Sequence, residues 1–217
     1  MPLGPLLPDW PAGLIAHTTL QGDVIQAARV QVLGSGEPSY WEESVRWAAA
    51  GHPITSGAAA RVRVAGYLDS LTRFLAVTGW PDAAGRARWL RDDALAGASA
   101  DALGPRFRRA ARQLRRSRTL RWLTTGLDIV PGDAAAIRAR GDVATRWSGW
   151  LAAVEQLLPE IDRTDQLPVV DPPRDPPDAV VGLLPELLTG VELATARLIV
   201  ASLDPDLAAT AAAVPGG

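Results

Sequence analysis

LLPELLTGVELATARLIVASLDPDL, residues Leu183–Leu207, is the least charged long run in the chain, with only Glu186, Glu192 and Arg197 before Asp204. Leu184, Leu188, Val191, Thr195, Leu198 and Ser202 recur at three- and four-residue spacing, and Leu187, Ala194 and Ala201 widen that stripe. A helix apolar over so much of its circumference has to be wrapped by other elements. The stretch therefore predicts a buried core helix and, around it, a helical bundle. It should stop at Asp204-Pro205, because proline has no N–H to donate and disfavours helix in the residue before it. From Ala208 the Ala-rich end reads as a fraying tail.

Immediately upstream, residues 162–182 hold Pro168, Pro172, Pro173, Pro176 and Pro177. No helix or central strand survives that density, so an extended, polyproline-like linker is predicted. Before it, Gly141-Asp142 starts a helix in which Val143, Trp147, Trp150, Val154 and Leu157 form a heptad-like seam. Pro131-Gly132-Asp133 opens a short helical turn ahead of that.

From Pro105 to Trp122 runs an amphipathic basic helix. It carries eight arginines, with no acid between Ala102 and Leu127, and Phe107, Ala111 and Leu114 mark its apolar side. Further back, Val64, Leu68, Leu71 and Leu75 stripe a helix from about Ala59 to Thr78, flanked by Tyr67 and Phe74. Asp69 and Arg73 make an i,i+4 pair on what reads as its solvent face. A second helix starts at Pro81, with Ala83, Ala87, Leu90 and Ala94 inward and Gly97 past its end. Ser39-x-x-Glu42 reads as a capping box for a short helix reaching Ala50. Residues 13–33 read as a β-hairpin turning at Gly22-Asp23.

The 217 residues are 47% hydrophobic and 21% charged, an ordinary globular composition. A net charge of −2 argues against an overall electrostatic drive to nucleic acid or anionic membrane. Every basic residue is Arg and none is Lys, which reads first as base bias in the genome. The absence of cysteine removes disulfides, thiolate metal sites and iron–sulfur ligation together. The opening MPLGPLLPDWPAGL has no basic start and is broken by prolines, so it does not read as a signal peptide. No run of ~20 uncharged apolar residues predicts a membrane span. A soluble, cytoplasmic protein is the expectation.

Little catalytic chemistry can be assembled. His17 falls in a hairpin arm and His52 in a Gly-Pro turn, each without a carboxylate at useful spacing. Asp92-Asp93 and Glu42-Glu43 are neighbours on helices, so each pair diverges by ~100° and shares neither proton nor metal. Gly34-Ser35-Gly36 matches neither a phosphate loop nor a nucleophile elbow. No catalytic, cofactor-binding or metal-binding residue is assigned. The residues that stand out are Arg108, Arg112, Arg115, Arg116 and Arg118, as a face turned to a partner.

Four motifs carry a family resemblance. Leu184-Pro185, Leu187-Leu188, Gly190, Ala194 and then Ser202-Leu203-Asp204-Pro205 and Leu207 spell L-P-x-L-L-x-G-x-x-x-A…S-L-D-P-x-L. That wording resembles the C-terminal end of the large quinone-site subunit of NADH:quinone oxidoreductase, itself related to the large subunit of [NiFe] hydrogenases. Leu20, Gly22, Asp23 and Ile25 fit the family's hairpin, L-x-G-[DE]-x-[IV]. Gly141, Asp142, Val143 and Arg146 fit its G-D-[VA]-x-x-R. Over Leu114–Val130, Arg118, Gly126 and Ile129 fall in register with a further motif, with Ser117 where the family has Asn. The motifs keep the family's order, in a chain far shorter than is usual there.

The resemblance implies a scaffold without its chemistry. In the hydrogenases the final motif continues D-P-C, and here Asp206 stands at the cysteine position, so no nickel–iron centre is implied. Quinone-site subunits use a His near the hairpin and a Tyr in the next domain. Residues 7–13 hold no His, His17 does not match, and Tyr40 and Tyr67 lie in segments that do not align.

The expected fold is mainly α, a helical bundle with a small N-terminal β-hairpin. Its divisions would be 1–36 (hairpin), 37–161 (bundle), 162–182 (linker) and 183–217 (core helix and tail). The expected role is a non-catalytic structural or docking subunit of a complex I-like or membrane-bound hydrogenase-like assembly. It would work beside an iron–sulfur small subunit and membrane subunits, peripheral on the cytoplasmic face of the inner membrane. Two alternatives stand beside it. One is a nucleic-acid-binding module using the Arg-rich helix 105–122, and the other is retained quinone-oxidoreductase activity within a complex.

Overall fold

A computed structural model describes residues 1–34, 39–130, 139–168 and 177–207. The protein is mainly helical, with a small three-stranded antiparallel sheet at its N-terminus. It divides into two compact units. One gathers Met1–Ser39, Thr124–Arg146 and Arg174–Gly217; the other gathers Tyr40–Leu123 and Trp147–Pro173. The division thus interleaves the chain, whereas the motifs suggested four segments in succession.

In the first unit, strands β1 (Pro2–Leu3), β2 (Leu14–Gln21) and β3 (Val24–Val32) pair in the order β1-β2-β3. The hairpin turns where expected, with Gly22 at φ 65°, a conformation glycine adopts without a Cβ penalty. Its register pairs Leu14 with Val32 and Ala16 with Val30. Leu14, Ala16, Ile25 and Val32 are buried, so alternate residues supply a dry face. β1 adds a third strand that the sequence did not suggest, pairing Leu3 with Ala16.

The stretch read as one long helix is two: α7 (Pro177–Leu188) and α8 (Leu193–Leu203). Gly190 breaks it at φ 86°, and the backbone between is taken over by β3. Gly190 N–H donates to Ile25 O (2.7 Å), Ile25 N–H to Val191 O (2.9 Å) and Leu193 N–H to Asp23 O (2.9 Å). Strand pairing satisfies groups that a continuous helix would have used for itself. Leu184, Leu188, Leu198 and Ser202 are buried as expected, but α8 turns Ala196, Ile199 and Val200 inward while Ala194 is exposed. Asp204 ends α8 in the left-handed conformation, φ 42°, just before Pro205. Residues 177–182, assigned to the linker, form the start of α7, whose first residue is proline.

The second unit begins with a 3-10 turn (Tyr40–Glu42) and α1 (Glu43–Ala49). Ser39, read as the start of a capping box, donates its hydroxyl to the Asp206 carboxylate, within the first unit. Next come α2 (Ser56–Val77) and α3 (Pro81–Leu95), which fold back on each other through Gly79. Val64, Leu68, Leu71, Phe74 and Leu75 are all buried, as are Ala83, Ala87, Leu90 and Ala94. Each fully buried Leu or Phe contributes about 1.5–3 kcal/mol. Asp69 does not face solvent: it is buried between Arg73 (2.7 Å) and Arg91.

The basic segment is α4 (Ala100–Arg116), broken at Ser117, then α5 (Arg118–Thr124). Ser117 leaves helical geometry at ψ 108°, and its hydroxyl accepts from Leu120 N–H (3.1 Å). Helix α6 (Val143–Leu157) buries Val143, Trp147, Leu151 and Val154, with Leu158 just beyond. The expected seam therefore drifts by one residue, leaving Trp150 half-buried and edge-on to Phe74 (6.1 Å, 81°). The Pro131-Gly132-Asp133 turn, Ser35-Gly36, linker residues 169–176 and the tail from Ala208 lie outside the described residues.

Candidate functional site

The first unit contains a buried ionic node. Arg146, in the first turn of α6, has a side chain 0% exposed, and its partner Asp128 is 4% exposed. Nη2 donates to Asp128 Oδ2 (2.9 Å), Nε to Ser202 Oγ (2.9 Å), and Nη1 to the carbonyls of Ala139 and Gly141 (both 2.9 Å). Ser202 passes its own proton to Ile199 O (2.8 Å). Taking a guanidinium out of water costs several kcal/mol unless its donors are matched, and here they are. Burial pushes the Asp128 carboxyl up and the Arg146 guanidinium down, and their mutual attraction offsets part of each effect.

Local geometry explains how the chain reaches this arrangement. Gly126, Asp128 and Gly141 all have positive φ (74°, 56° and 78°), and Val130 pairs with Gly141 as an isolated bridge. At Gly141 a Cβ would stand 2.8 Å from Thr145 Cγ2, so glycine is required twice over. Asp142 caps α6 by accepting from Thr145 N–H (2.7 Å) and Thr145 Oγ1 (2.6 Å). Its other oxygen accepts from Gly126 N–H (2.7 Å). Burial works to raise the Asp142 carboxyl, but these hydrogen bonds outweigh it and hold the group below its ordinary value.

The second unit carries the five arginines read from the sequence as a face turned to a partner. Arg108, Arg112, Arg115, Arg116 and Arg118 are exposed, opposite the buried Phe107, Ala111 and Leu114. They are not equivalent. Arg115 makes a bidentate pair with Glu155 (2.7 and 3.2 Å), which raises the guanidinium and lowers the carboxyl. Arg106 pairs with Asp93. Among the described residues, the side chains of Arg109, Arg112, Arg116, Arg118 and Arg121 have neither hydrogen bond nor ion pair. Trp122, in the last turn of α5, is 82% exposed and was not singled out in the sequence.

Two openings mark this unit. One is an apolar gap of about 20 Å³ lined by Leu71, Leu75, Leu90, Phe107 and Leu114, room for a water and no more. The other is an open polar depression of about 510 Å³ that includes Tyr40, Thr55, Arg61 and Asp162. Its arginine is fully engaged: Arg61 reaches Ala94 O (3.0 Å), Ala98 O (2.6 Å), Ile161 O (3.2 Å) and Asp162 (3.3 Å). The depression is thus walled by a brace across helix ends. Neither opening is an apolar slot of a quinone ring's size. His17 bonds Gln31 (3.1 Å) and His52 stands edge-on to Trp47 (4.4 Å). Among the described residues no group of three His, Cys, Asp or Glu is placed to hold a metal, and no helix is long and apolar enough to cross a membrane.

No family model matches this chain, and no curated protein matches it in sequence.

Proposed function

We propose that this chain is a non-catalytic structural or docking subunit of an electron-transfer complex of the complex I-like or membrane-bound hydrogenase-like kind. One observation carries the reading. Arg146 and Ser202 belong to two of the motifs that resemble the large quinone-site subunit and Asp128 lies within the stretch of a third, and Arg146 bonds both partners in a single buried node. The fourth motif, the hairpin, joins the same unit through Ile25 and Val191. Motifs that agreed only by chance would have no reason to meet in space.

The partners implied are an iron–sulfur small subunit and membrane subunits. The chain would work peripherally on the cytoplasmic face of the inner membrane, with quinone turnover, where it occurs, carried by other chains. Affinity purification of the tagged chain from its own cells in mild detergent tests this. Stoichiometric recovery of an iron–sulfur subunit, with the cluster's paramagnetic resonance signal, is expected. A chain that elutes alone as a monomer overturns it. Nucleic-acid binding through α4 is favoured by one fact, the unpaired arginines, and predicts an affinity falling steeply with salt.

A further inference from the structure

We infer that the outward face of α4 and α5, from Arg109 to Trp122, seats on an anionic phospholipid surface. This deepens the proposed function by naming what the face meets, and it rests on that reading only for bringing the chain to a membrane.

The face is marked first by what it lacks. No acid occurs between Ala102 and Leu127, and among the described residues the two carboxylates that form ion pairs with its arginines, Asp93 and Glu155, are held by Arg106 and Arg115. Arg109, Arg112 and Arg116 fall at three- and four-residue spacing on one side of α4, away from its buried face. Arg118 and Arg121 continue outward on α5, where Leu120 points in. Five guanidinium groups without a counter-ion among the described residues repel one another, and the net charge of the whole chain is still −2. A local field of that sign on an acidic protein calls for an external anion.

The choice among anions follows from the shape of the charge. A protein interface, though enriched in Arg and Trp, is built around a buried apolar centre. This face has charge throughout, and its one large exposed apolar side chain, Trp122, stands at the end of α5. Along α4 and α5 the exposed aromatic side chain is Trp122 alone, whereas a single strand is tracked by stacking successive bases on several aromatic rings. Mobile headgroups ask only for spread positive charge, and an exposed indole suits the water–hydrocarbon boundary. Charge spread along one helical side with one interfacial tryptophan is the arrangement of a protein that lies on a bilayer without entering it.

The test uses the full chain and flotation with vesicles of phosphatidylcholine alone, or with about one-third phosphatidylglycerol. Partition onto the anionic vesicles should exceed the neutral ones by at least about a hundredfold. It should vanish as salt rises from about 0.1 M to about 1 M, where the Debye length falls from ~10 Å to ~3 Å. Each arginine near such a surface accounts for about fivefold, so R112Q/R116Q/R118Q should lose about a hundredfold. Removing charge elsewhere in the same unit, in R46Q/R63Q, should leave binding within about twofold, since those exposed arginines belong to α1 and α2. Brominated lipid should quench wild-type fluorescence, and Trp122→Phe should abolish that quenching.

Equal partition onto neutral vesicles, or an equal loss in the control double variant, overturns the inference. So does tighter binding, at the same salt, to oligodeoxythymidine or to polyglutamate. Vesicle binding without a co-purified iron–sulfur subunit would overturn the subunit assignment alone. A co-purified subunit without vesicle binding would overturn only the lipid contact.

Discussion

Arg146 and Arg112 are the same residue in opposite circumstances. The first is sealed in the sheet-bearing unit, with a carboxylate, a hydroxyl and two carbonyls around its guanidinium. The second stands in water on α4 with no partner among the described residues. A buried charge is held by specificity: each donor has one acceptor in one place, and removing either partner leaves the other stranded. An exposed charge adds almost nothing to the fold and is free to act on something outside it. Composition sees a single population of twenty-two arginines; burial gives Arg146 and Arg112 different jobs.

This contrast is tested most forcefully at Arg146. Arg146→Ala should destabilise the protein by about 3–5 kcal/mol, because Asp128 is left buried and unpaired. Denaturant titration measures it, and a double-mutant cycle with Asp128→Ala should recover a coupling of about 1–3 kcal/mol. Arg146→Lys should rescue little, since an ammonium cannot reach Ser202, two carbonyls and a carboxylate as a planar fork does.

Gly141→Ala should cost about 1–3 kcal/mol through its positive φ and the contact with Thr145, read as a lowered midpoint at unchanged slope.

A smaller effect of about 1 kcal/mol is expected for Asp142→Ala at the α6 cap, and it should depend on pH. The folded Asp142 carboxyl lies below its ordinary value. Its contribution is therefore fully present above pH ~4 and lost as pH falls through the folded value. Thermal melts of wild type and Asp142→Asn should converge in acid and separate toward neutrality.

Arg115→Ala breaks a surface pair with Glu155 in which both groups are well exposed, and should cost no more than about 0–1 kcal/mol. Arg112→Gln should fall within about ±0.5 kcal/mol. A large loss there would mean that α4 is not the free face described.

The sequence revealed whatever is local. Gly22-Asp23 announced its turn, and the stripes of α2 and α3 announced their buried faces, because period and turn chemistry are decided within a few residues. What it could not reveal is bonded across long gaps. Ser39 gives its hydroxyl proton to a hydrogen bond with Asp206, far along the chain, and Gly190 looked helical until Ile25 took the backbone. β1 is too short to show a period and exists only because β2 is beside it. The node lay half in view. Arg146 sits between Val143 and Trp147 on an apolar face, and a charge there asks for a buried partner. Nothing in the order of residues says that the partners are Asp128 and Ser202. The basic face was legible as charge, but which of its arginines are already spent on Asp93 and Glu155 was not.

The pairing of Ile25 with the Gly190–Leu193 segment also bears on synthesis. The second unit, Tyr40–Leu123 with Trp147–Pro173, has left the ribosome before the last segment of the first, which begins at Arg174. The hairpin, though translated early, must wait with part of its outer edge uncovered until the chain's final helices emerge. Such an edge is a template for the wrong strand. Premature stops between the end of the second unit and Leu193 should therefore release chains whose bundle is folded and whose N-terminus is an adhesive, leaving the insoluble fraction rather than the soluble one as the place to find them.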